Sequence, residues 1–207
     1  MTEFRDLDLA IADQCRLNLL WLDGRAGGER ALEIEVPELR LTEALSSLYG
    51  HVDRLPCGAP DVTGNAVRLP FPDRTFDLVT LYGRRPSQAA LGEIRRVLRT
   101  GGTALLATEN RWWYGRLREP RRPGAGRRAG PRLPGALRAA GFRDVHPYWV
   151  EPSLAIPRNL VPARADRVAA FEAIRVRERG PDAVRAMAVR AGAAAVLYPA
   201  IAIVAEA

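Results

Sequence analysis

Short apolar segments alternate with amphipathic ones along this chain of 207 residues, and this alternation is the strongest constraint on its fold. The segments "RTFDLVTLY" (74–82) and "TALLATEN" (103–110) are short, apolar and almost uninterrupted, which is typical of strands buried on both faces. Strands that alternate with helices favour a doubly wound α/β architecture with a mostly parallel sheet.

The segment between these two strands, "PSQAALGEIRRVLRTGG" (86–102), predicts a helix. Ser87 can cap its start, and Gly101 and Gly102 can end it. Four apolar residues recur at helical spacing and form one face, namely Leu91, Ile94, Val97 and Leu98.

The rest of the chain continues the alternation, and we expect a single domain over 1–207 with a long arginine-, proline- and glycine-rich loop at 118–135. Helices are predicted over 6–22, 38–49 and 133–142, and two more within 163–197. Strands are predicted at 30–36, 144–150 and 200–206, with weaker candidates at 51–57 and 61–67.

Two central runs carry a family pattern, "GNAVRLPFPDRTFDLVTL" (64–81) and "ALGEIRRVLRTGGTALLATEN" (90–110). Together they resemble the middle of class I S-adenosylmethionine (SAM)-dependent methyltransferases of the small-molecule type, and "LRAAGFRDV" (137–145) resembles the family's late helix and strand. The resemblance implies a Rossmann-like methyltransferase fold: a seven-stranded, mostly parallel sheet with an antiparallel last strand. It also implies a SAM site at the C-terminal ends of the first strands, where open α/β sheets bind ligands.

The family's first motif, an acid followed by three alternating glycines, aligns without a gap to "ALEIEVPELRLTEAL" (31–45). Glu33 takes the place of the acid, whereas Glu35, Pro37 and Leu39 take the places of the glycines. Glycine there permits positive φ and a close backbone approach to the ligand. Proline fixes φ and lacks an N–H, leucine adds bulk, and glutamate adds a charge that repels a ligand carboxylate. We therefore expect an altered cofactor loop.

The resemblance places four further residues at the cofactor site. Asp53 is the candidate for the acid that grips the ribose hydroxyls. Asn65, with Ala66 beside it, stands where the family often has an acid facing the adenine amine, and Tyr82 ends a strand at the same edge. The sheet is expected to be shortened around its second and third strands, because the gap from 53 to 65 cannot hold a helix and a strand.

An aromatic segment follows the predicted strand at 103–110. Asn110, Trp112, Trp113 and Tyr114 either line a substrate or partner pocket or pack beneath the C-terminal helices. His146 is the one suggestive candidate for a general base, although a partly buried strand histidine is the simpler interpretation.

The charge is concentrated in one segment. Every basic residue is an arginine, and residues 111–132 hold eight of the 31 arginines and one of the 24 acids, so 23 of each remain elsewhere. This segment is either a solvated loop or a docking site for an acidic partner, phosphate groups or nucleic acid. Nucleic acid is disfavoured, because the rest of the chain is balanced and no nucleic-acid motif is present.

The sequence offers no metal-ligand spacing, no long apolar span and two distant cysteines, Cys15 and Cys57. The acidic start does not resemble a secretory leader, and we expect a cytoplasmic protein without a metal or a membrane segment. Assembly as a homo- or hetero-oligomer is left open.

Two functions follow from the resemblance. The loss of three glycines favours a non-catalytic or composite-site partner subunit in small-molecule or natural-product modification. The alternative is an active SAM-dependent small-molecule methyltransferase with an atypical cofactor loop. In methyl transfer the enzyme mainly aligns the reactants, so no obligatory catalytic residue is expected.

Overall fold

The structure is a computed structural model that describes residues 27–35, 41–56, 68–83, 85–110, 112–114, 132–154, 157–180 and 182–207. The strands are β1 (Gly28–Glu35), β2 (Tyr49–Pro56), β3 (Phe76–Tyr82), β4 (Leu98–Glu109), β5 (Arg143–Pro152), β6 (Pro157–Pro162) and β7 (Ala200–Glu206). The α-helices are α1 (Thr42–Ser46), α2 (Gln88–Val97), α3 (Leu133–Ala139), α4 (Ala165–Arg179) and α5 (Ala183–Arg190), and a 3₁₀ turn covers Ala194–Val196.

The seven described strands form one sheet in the order β2-β1-β3-β4-β7-β5-β6. β1, β2, β3 and β4 are mutually parallel, and β7 is antiparallel to both β4 and β5. The predicted seven-stranded α/β sheet with an antiparallel last strand is therefore confirmed. The helix predicted over 6–22 and the weak strand predicted at 61–67 lie outside the described residues.

A second antiparallel strand was not predicted. Residues 157–162 form β6, which pairs antiparallel with β5 and lies at one edge of the sheet. Proline occupies both ends of this strand, where the loss of an N–H is tolerated. At the other edge, β2 pairs with β1 alone among the described strands.

Both faces of the sheet are covered by apolar residues. One core joins Leu32 and Ile34 of β1 to Leu91, Ile94 and Val97 of α2, and it continues to Leu133, Val168 and Ala188 on the later helices. The second core joins Ala31, Leu78 and Leu105 to Leu41, Ala44 and Leu45 around α1. Neighbouring residues of β1 thus enter opposite cores, as strand geometry requires.

The predicted helix at 86–102 is confirmed at its start and corrected at its end. The Ser87 side chain accepts a hydrogen bond from the Ala90 N–H at 3.1 Å, which caps α2. The helix ends at Val97, and Leu98 begins β4 opposite Phe76. Gly102 lies inside that strand. Only glycine fits there, because a Cβ would stand 2.9 Å from the Arg99 carbonyl oxygen and 3.1 Å from that of Phe76.

Candidate functional site

The strand order reverses between β1 and β3, and this reversal defines the candidate site. From β1 the chain proceeds to β2 on one side, and from β3 it proceeds to β4 on the other. The last paired residues, Ile34 of β1 and Leu81 of β3, are direct neighbours, so both strands end at the same place. A crevice at the carboxyl ends of such strands is where α/β sheets bind ligands. We call this place the switch-point crevice, and Glu35 and Tyr82 end its two strands.

Glu33 is almost completely buried beside this crevice, with 1% of its surface exposed. One carboxylate oxygen accepts the Leu41 N–H and the other accepts the Thr42 hydroxyl at the start of α1. Both oxygens are therefore used within the chain. Glu33 ties the end of β1 to the start of α1 across residues 36–40, and this fixes the two ends of the segment that leaves β1.

Two of the residues predicted at the glycine places, Pro37 and Leu39, lie outside the described residues. Glu35 ends β1, but only its backbone is described. Asn65 and Ala66 also lie outside the described residues. The role of all five in cofactor binding therefore stays a prediction.

Asp53 lies in the middle of β2, three residues before the strand ends at Pro56. Its carboxylate accepts hydrogen bonds from Nε and Nη2 of Arg30 at 2.6 and 3.1 Å. This bonding outweighs partial burial and lowers the pKa of Asp53. The Arg30 guanidinium lies 5.2 Å from the centre of the Phe76 ring. In the structure Asp53 pairs with Arg30 of the neighbouring strand. Its role at the ribose hydroxyls stays a prediction.

Tyr82 ends β3 at the switch-point crevice, and its side chain is buried in the core. It is 4% exposed and packs in the core around α1, and burial raises the pKa of its hydroxyl well above the ordinary value. The next residue, Gly83, has φ of +82°, and its N–H donates to the Ala107 carbonyl at 2.7 Å. A left-handed glycine turns the chain away from the sheet as β3 ends.

Asn110, which follows β4, joins two parts of the same edge. Its side-chain amide donates to the carbonyl oxygens of Ala195 and Tyr198, at 2.5 and 2.9 Å. Its side-chain oxygen accepts the Trp112 N–H at 3.0 Å. Asn110 therefore fixes both the turn that precedes β7 and the first turn of the aromatic segment.

The aromatic segment divides into an exposed and a packed part. Trp112 is 53% exposed, whereas Trp113 is half-buried and Tyr114 packs against the core that contains Tyr198. The packing interpretation thus holds for Tyr114. A substrate or partner pocket at Trp112 stays a prediction.

His146 does not reach the switch-point crevice. It is exposed on β5 and pairs with Val204 of β7. Strands β3, β4 and β7 separate β5 from β1, which is a lateral distance of about 19 Å at roughly 4.8 Å per strand. A general base at His146 would therefore act far from a methyl group bound beside β1.

A buried ionic cluster at the same sheet edge was missed from the sequence. Arg185 donates through Nε to Glu172 at 2.8 Å, and the Tyr198 hydroxyl donates to the same carboxylate at 2.7 Å. Glu151 at the end of β5 accepts from Arg175 and Arg185. These residues come from β5, α4, α5 and the turn before β7, so no local spacing signals them.

Two pKa values reflect this environment. Burial opposes ionisation of Glu172, but hydrogen bonds from Arg185 and Tyr198 favour the carboxylate, and the net effect lowers its pKa. Burial, followed by the bond to Glu172, raises the pKa of Tyr198. The cluster therefore holds ionised Glu172 against Arg185 and a neutral tyrosine hydroxyl at neutral pH.

Neither a metal centre nor a membrane span is found in the described part of the chain. No group of three or more His, Cys, Asp or Glu residues stands there in an arrangement that would ligate a metal. None of the described helices combines the length and apolarity needed to cross a bilayer.

Residues 51–106 match the sequence profile of a family described as a methyltransferase domain. The chain is 53% identical over 51 residues to demethylmenaquinone methyltransferase from Mycolicibacterium paratuberculosis. That match covers 23% of this chain and 22% of the relative, so it spans about a fifth of each protein.

Solved structures of SAM-dependent methyltransferases share the fold over nearly the whole chain. One from Archaeoglobus fulgidus has a TM-score of 0.57 at 17% identity and covers 97% of this chain and 94% of its own. One from Thermotoga maritima has a TM-score of 0.53 at 16% identity, with 100% and 95% covered. In fold the chain is similar to SAM-dependent methyltransferases, and its residues 51–106 match the methyltransferase domain profile.

Proposed function

We propose that this protein is a SAM-dependent methyltransferase for a small molecule, with a cofactor loop built without glycine. The observation that carries the proposal is the double anchoring of Glu33 to Leu41 and Thr42 at the switch-point crevice. A buried carboxylate that accepts a backbone N–H and a hydroxyl is a costly arrangement to lose, because each donor would then lack a partner. Retaining it supports a functional loop between β1 and α1.

The residues at the switch-point crevice suggest how SAM would be held. Both Glu33 oxygens are already used by the chain, so this acid would shape the loop and leave direct contacts to the backbone. Tyr82 ends β3 with its side chain buried, and the left-handed Gly83 follows it. SAM, when bound, supplies an electrophilic methyl group. The protein's part is then to align the acceptor with that methyl group and to exclude water.

Trp112 supports a small-molecule acceptor at the same edge. Its indole is half-exposed, and its backbone is held by Asn110 at the end of β4. An aromatic surface beside the crevice suits an apolar or aromatic acceptor. The relative from Mycolicibacterium paratuberculosis is named for demethylmenaquinone, but the matched segment is scaffold, so the acceptor is proposed only as a class.

The test is calorimetric titration of the purified protein with SAM and S-adenosylhomocysteine, using wild type, Glu33→Ala and Glu33→Gln. The alanine variant loses both acceptors, and we expect binding at least tenfold weaker. The glutamine variant keeps one acceptor oxygen and should fall between the two. Glu93→Ala is the matched control, because Glu93 also accepts a backbone N–H, that of Leu69 at 2.9 Å, but on α2.

Each outcome of this titration is informative. Failure of the wild type to bind either ligand would overturn the proposal. Equal binding by wild type and Glu33→Ala would remove Glu33 from it. Circular dichroism of each variant shows whether a lost signal reflects lost fold.

A composite-site partner subunit is the second candidate, and the engagement of Asp53 by Arg30 favours it. Asp53, the acid expected to bind the ribose, already forms an ion pair within the chain. Three positions that hold glycine in the family pattern carry larger side chains. In that case the isolated chain should not bind SAM. Replacing Glu35, Pro37 and Leu39 with glycine should then raise the affinity. Unchanged affinity in this triple variant would reject obstruction by those side chains.

A further inference from the structure

A cleft at the amino-terminal ends of the strands, opposite the switch-point crevice, is lined by five arginines. It has a volume of about 380 Å³ and lies where α2 ends and where β4 and β5 begin. The five are Arg74, Arg95, Arg96, Arg99 and Arg143, and among the described residues of the lining Asp73 carries the one acidic side chain. We call this place the arginine cleft.

Two of the arginines are neutralised by neighbouring acids. Arg96 donates to Glu93 at 2.8 Å and to Asp73 at 2.6 Å. Arg99 donates to Asp77 at 2.9 Å and to Glu29 at 3.2 Å. These pairs leave the uncompensated positive charge of the lining to the other three arginines.

Arg74, Arg95 and Arg143 form no salt bridge within the described part of the chain, and all three are exposed. Arg95 uses Nε to donate to the Gly141 carbonyl at 3.0 Å, so its two terminal nitrogens are not used in that bond. Three cations from three different segments thus line one cavity, and none of them forms a salt bridge to a described residue. Such an arrangement repels itself and is stabilised by an anion.

The backbone around these arginines is fixed in unusual conformations. Arg74 has φ of +53°, in the left-handed region that a non-glycine residue rarely adopts. It is held there because its N–H donates to the Arg96 carbonyl and the next N–H, that of Thr75, donates to the Val97 carbonyl. Strained residues held by their surroundings are concentrated at functional sites.

The Arg95 side chain is also held in place by its surroundings. Gly141 has φ of +89°, and a Cβ at that position would stand 3.1 Å from the Arg95 Nε. Glycine therefore lets the Arg95 side chain lie against the turn that precedes β5. A guanidinium whose position is already set loses less entropy when it binds a ligand.

We propose that the arginine cleft binds the phosphate groups of a small phosphorylated molecule. Guanidinium groups pair with phosphate through two parallel N–H donors, and they do so better than other cations. Three unpaired guanidiniums match the charge of a diphosphate, and the cleft is large enough for such a group with a small organic part. This site is separate from the proposed methyl-transfer site and does not depend on it.

The test is calorimetric titration of the full chain with inorganic pyrophosphate. The test variant is Arg74→Gly combined with Arg143→Ala, because glycine accepts the φ of +53° and so removes the Arg74 side chain without backbone strain. We expect the double variant to bind pyrophosphate at least tenfold more weakly than wild type.

The matched control is Arg121→Ala combined with Arg122→Ala, which removes the same charge from the arginine-rich segment at 111–132. It should bind pyrophosphate as wild type does. If this control loses the binding and the cleft variant keeps it, the segment and not the cleft binds phosphate, and the proposal fails. Absence of saturable binding by wild type, with Kd above about 10 mM, would also overturn it.

A single substitution guards against loss of fold. Arg143→Gln keeps the size of the side chain and should weaken pyrophosphate binding by several fold while leaving the thermal midpoint unchanged. An unchanged affinity in this variant, together with an unchanged affinity in the double variant, contradicts the proposal.

Discussion

Asp53 shows how the position of a residue within a strand decides its role. The register pairs Leu32 with Asp53 and Arg30 with His51. Asp53, in the middle of β2, therefore lies diagonally across from Arg30 of β1. Its carboxylate joins Arg30 of the neighbouring strand, and His51 Nε2 lies 3.5 Å away. Side chains on one face of adjacent strands interact in this way, whereas a ligand at the crevice meets residues at strand ends.

The Asp53 carboxylate should make stability depend on pH in a defined range. Because its pKa is lowered in the folded protein, its contribution is complete above the ordinary value of 3.8 and is lost as the pH falls below it. The pair is partly exposed, so we expect less than about 1 kcal/mol. Urea unfolding of wild type and Asp53→Asn should differ by a constant amount near neutral pH, and the difference should shrink below pH 3.8.

Asp144→Asn is the control for this measurement, since Asp144 is exposed and forms no salt bridge within the described residues. It should show no such difference at any pH. A difference between wild type and Asp53→Asn that grows with acidity would contradict the assignment.

At the scale of elements, α4 and α5 are attached to the sheet through charge as well as apolar contacts. Val168 of α4 and Ala188 of α5 enter the core. Beside them, the buried cluster joins Glu172 of α4 and Arg185 of α5 to Glu151 of β5. Tyr198 completes it and stacks on Trp149, with ring centres 5.9 Å apart. The cluster fixes how the two helices sit on the strands.

Breaking this cluster on one side should cost more than replacing it. Glu172→Leu leaves Arg185 buried beside a single, more distant carboxylate, and we expect a loss of about 3 kcal/mol in the free energy of unfolding. The double variant Glu172→Leu with Arg185→Met should lose less, because it leaves no uncompensated charge of that pair. Urea unfolding of the two single variants and the double variant measures the coupling.

Asp166→Asn serves as the control, because Asp166 is exposed in the first turn of α4 and pairs with Arg164 just before the helix. It should leave the unfolding midpoint unchanged. If the double variant loses more free energy of unfolding than its two single variants lose together, the replacement argument is wrong.

At the scale of the whole molecule, the two proposed sites lie at opposite ends of the strands of one sheet. The switch-point crevice lies at the carboxyl ends of β1 and β3, and the arginine cleft lies where β4 and β5 begin. β3 has seven residues, which separates the two ends by about 23 Å at roughly 3.3 Å per residue. Helix α2 leaves one end and reaches the other, with Arg95 and Arg96 in its last turn.

Hydrogen exchange with mass spectrometry should separate the two sites. S-adenosylhomocysteine should slow exchange in peptides that cover residues 41–46 and 80–83, and pyrophosphate should slow it in peptides that cover 71–75 and 95–100. With both ligands present, the two patterns should add, because bound states protect local structure. Protection of the same peptides by both ligands would show that the sites are not distinct.

The sequence alone determined the elements whose signals are local. The buried runs of β3 and β4, the amphipathic face and Ser87 cap of α2, and the last strand are set by side-chain periodicity and capping over a few residues. The family pattern added the number of strands and the antiparallel direction of the last one. It also placed Glu33, Tyr82 and Asn110 near the carboxyl ends of the strands, where they lie in the structure. Their roles toward a cofactor or substrate stay predictions.

Tertiary structure decided everything that joins distant segments. Leu98 leaves the helix for β4 because it pairs with Phe76, and residues 157–162 become a strand because β5 offers an edge. Asp53 turns to Arg30, and Arg185 reaches Glu151 across 34 positions of the chain. The arginine cleft likewise gathers its cations from three separate segments. Contacts of this kind carry no local period or cap, since they arise only when packing brings the segments together.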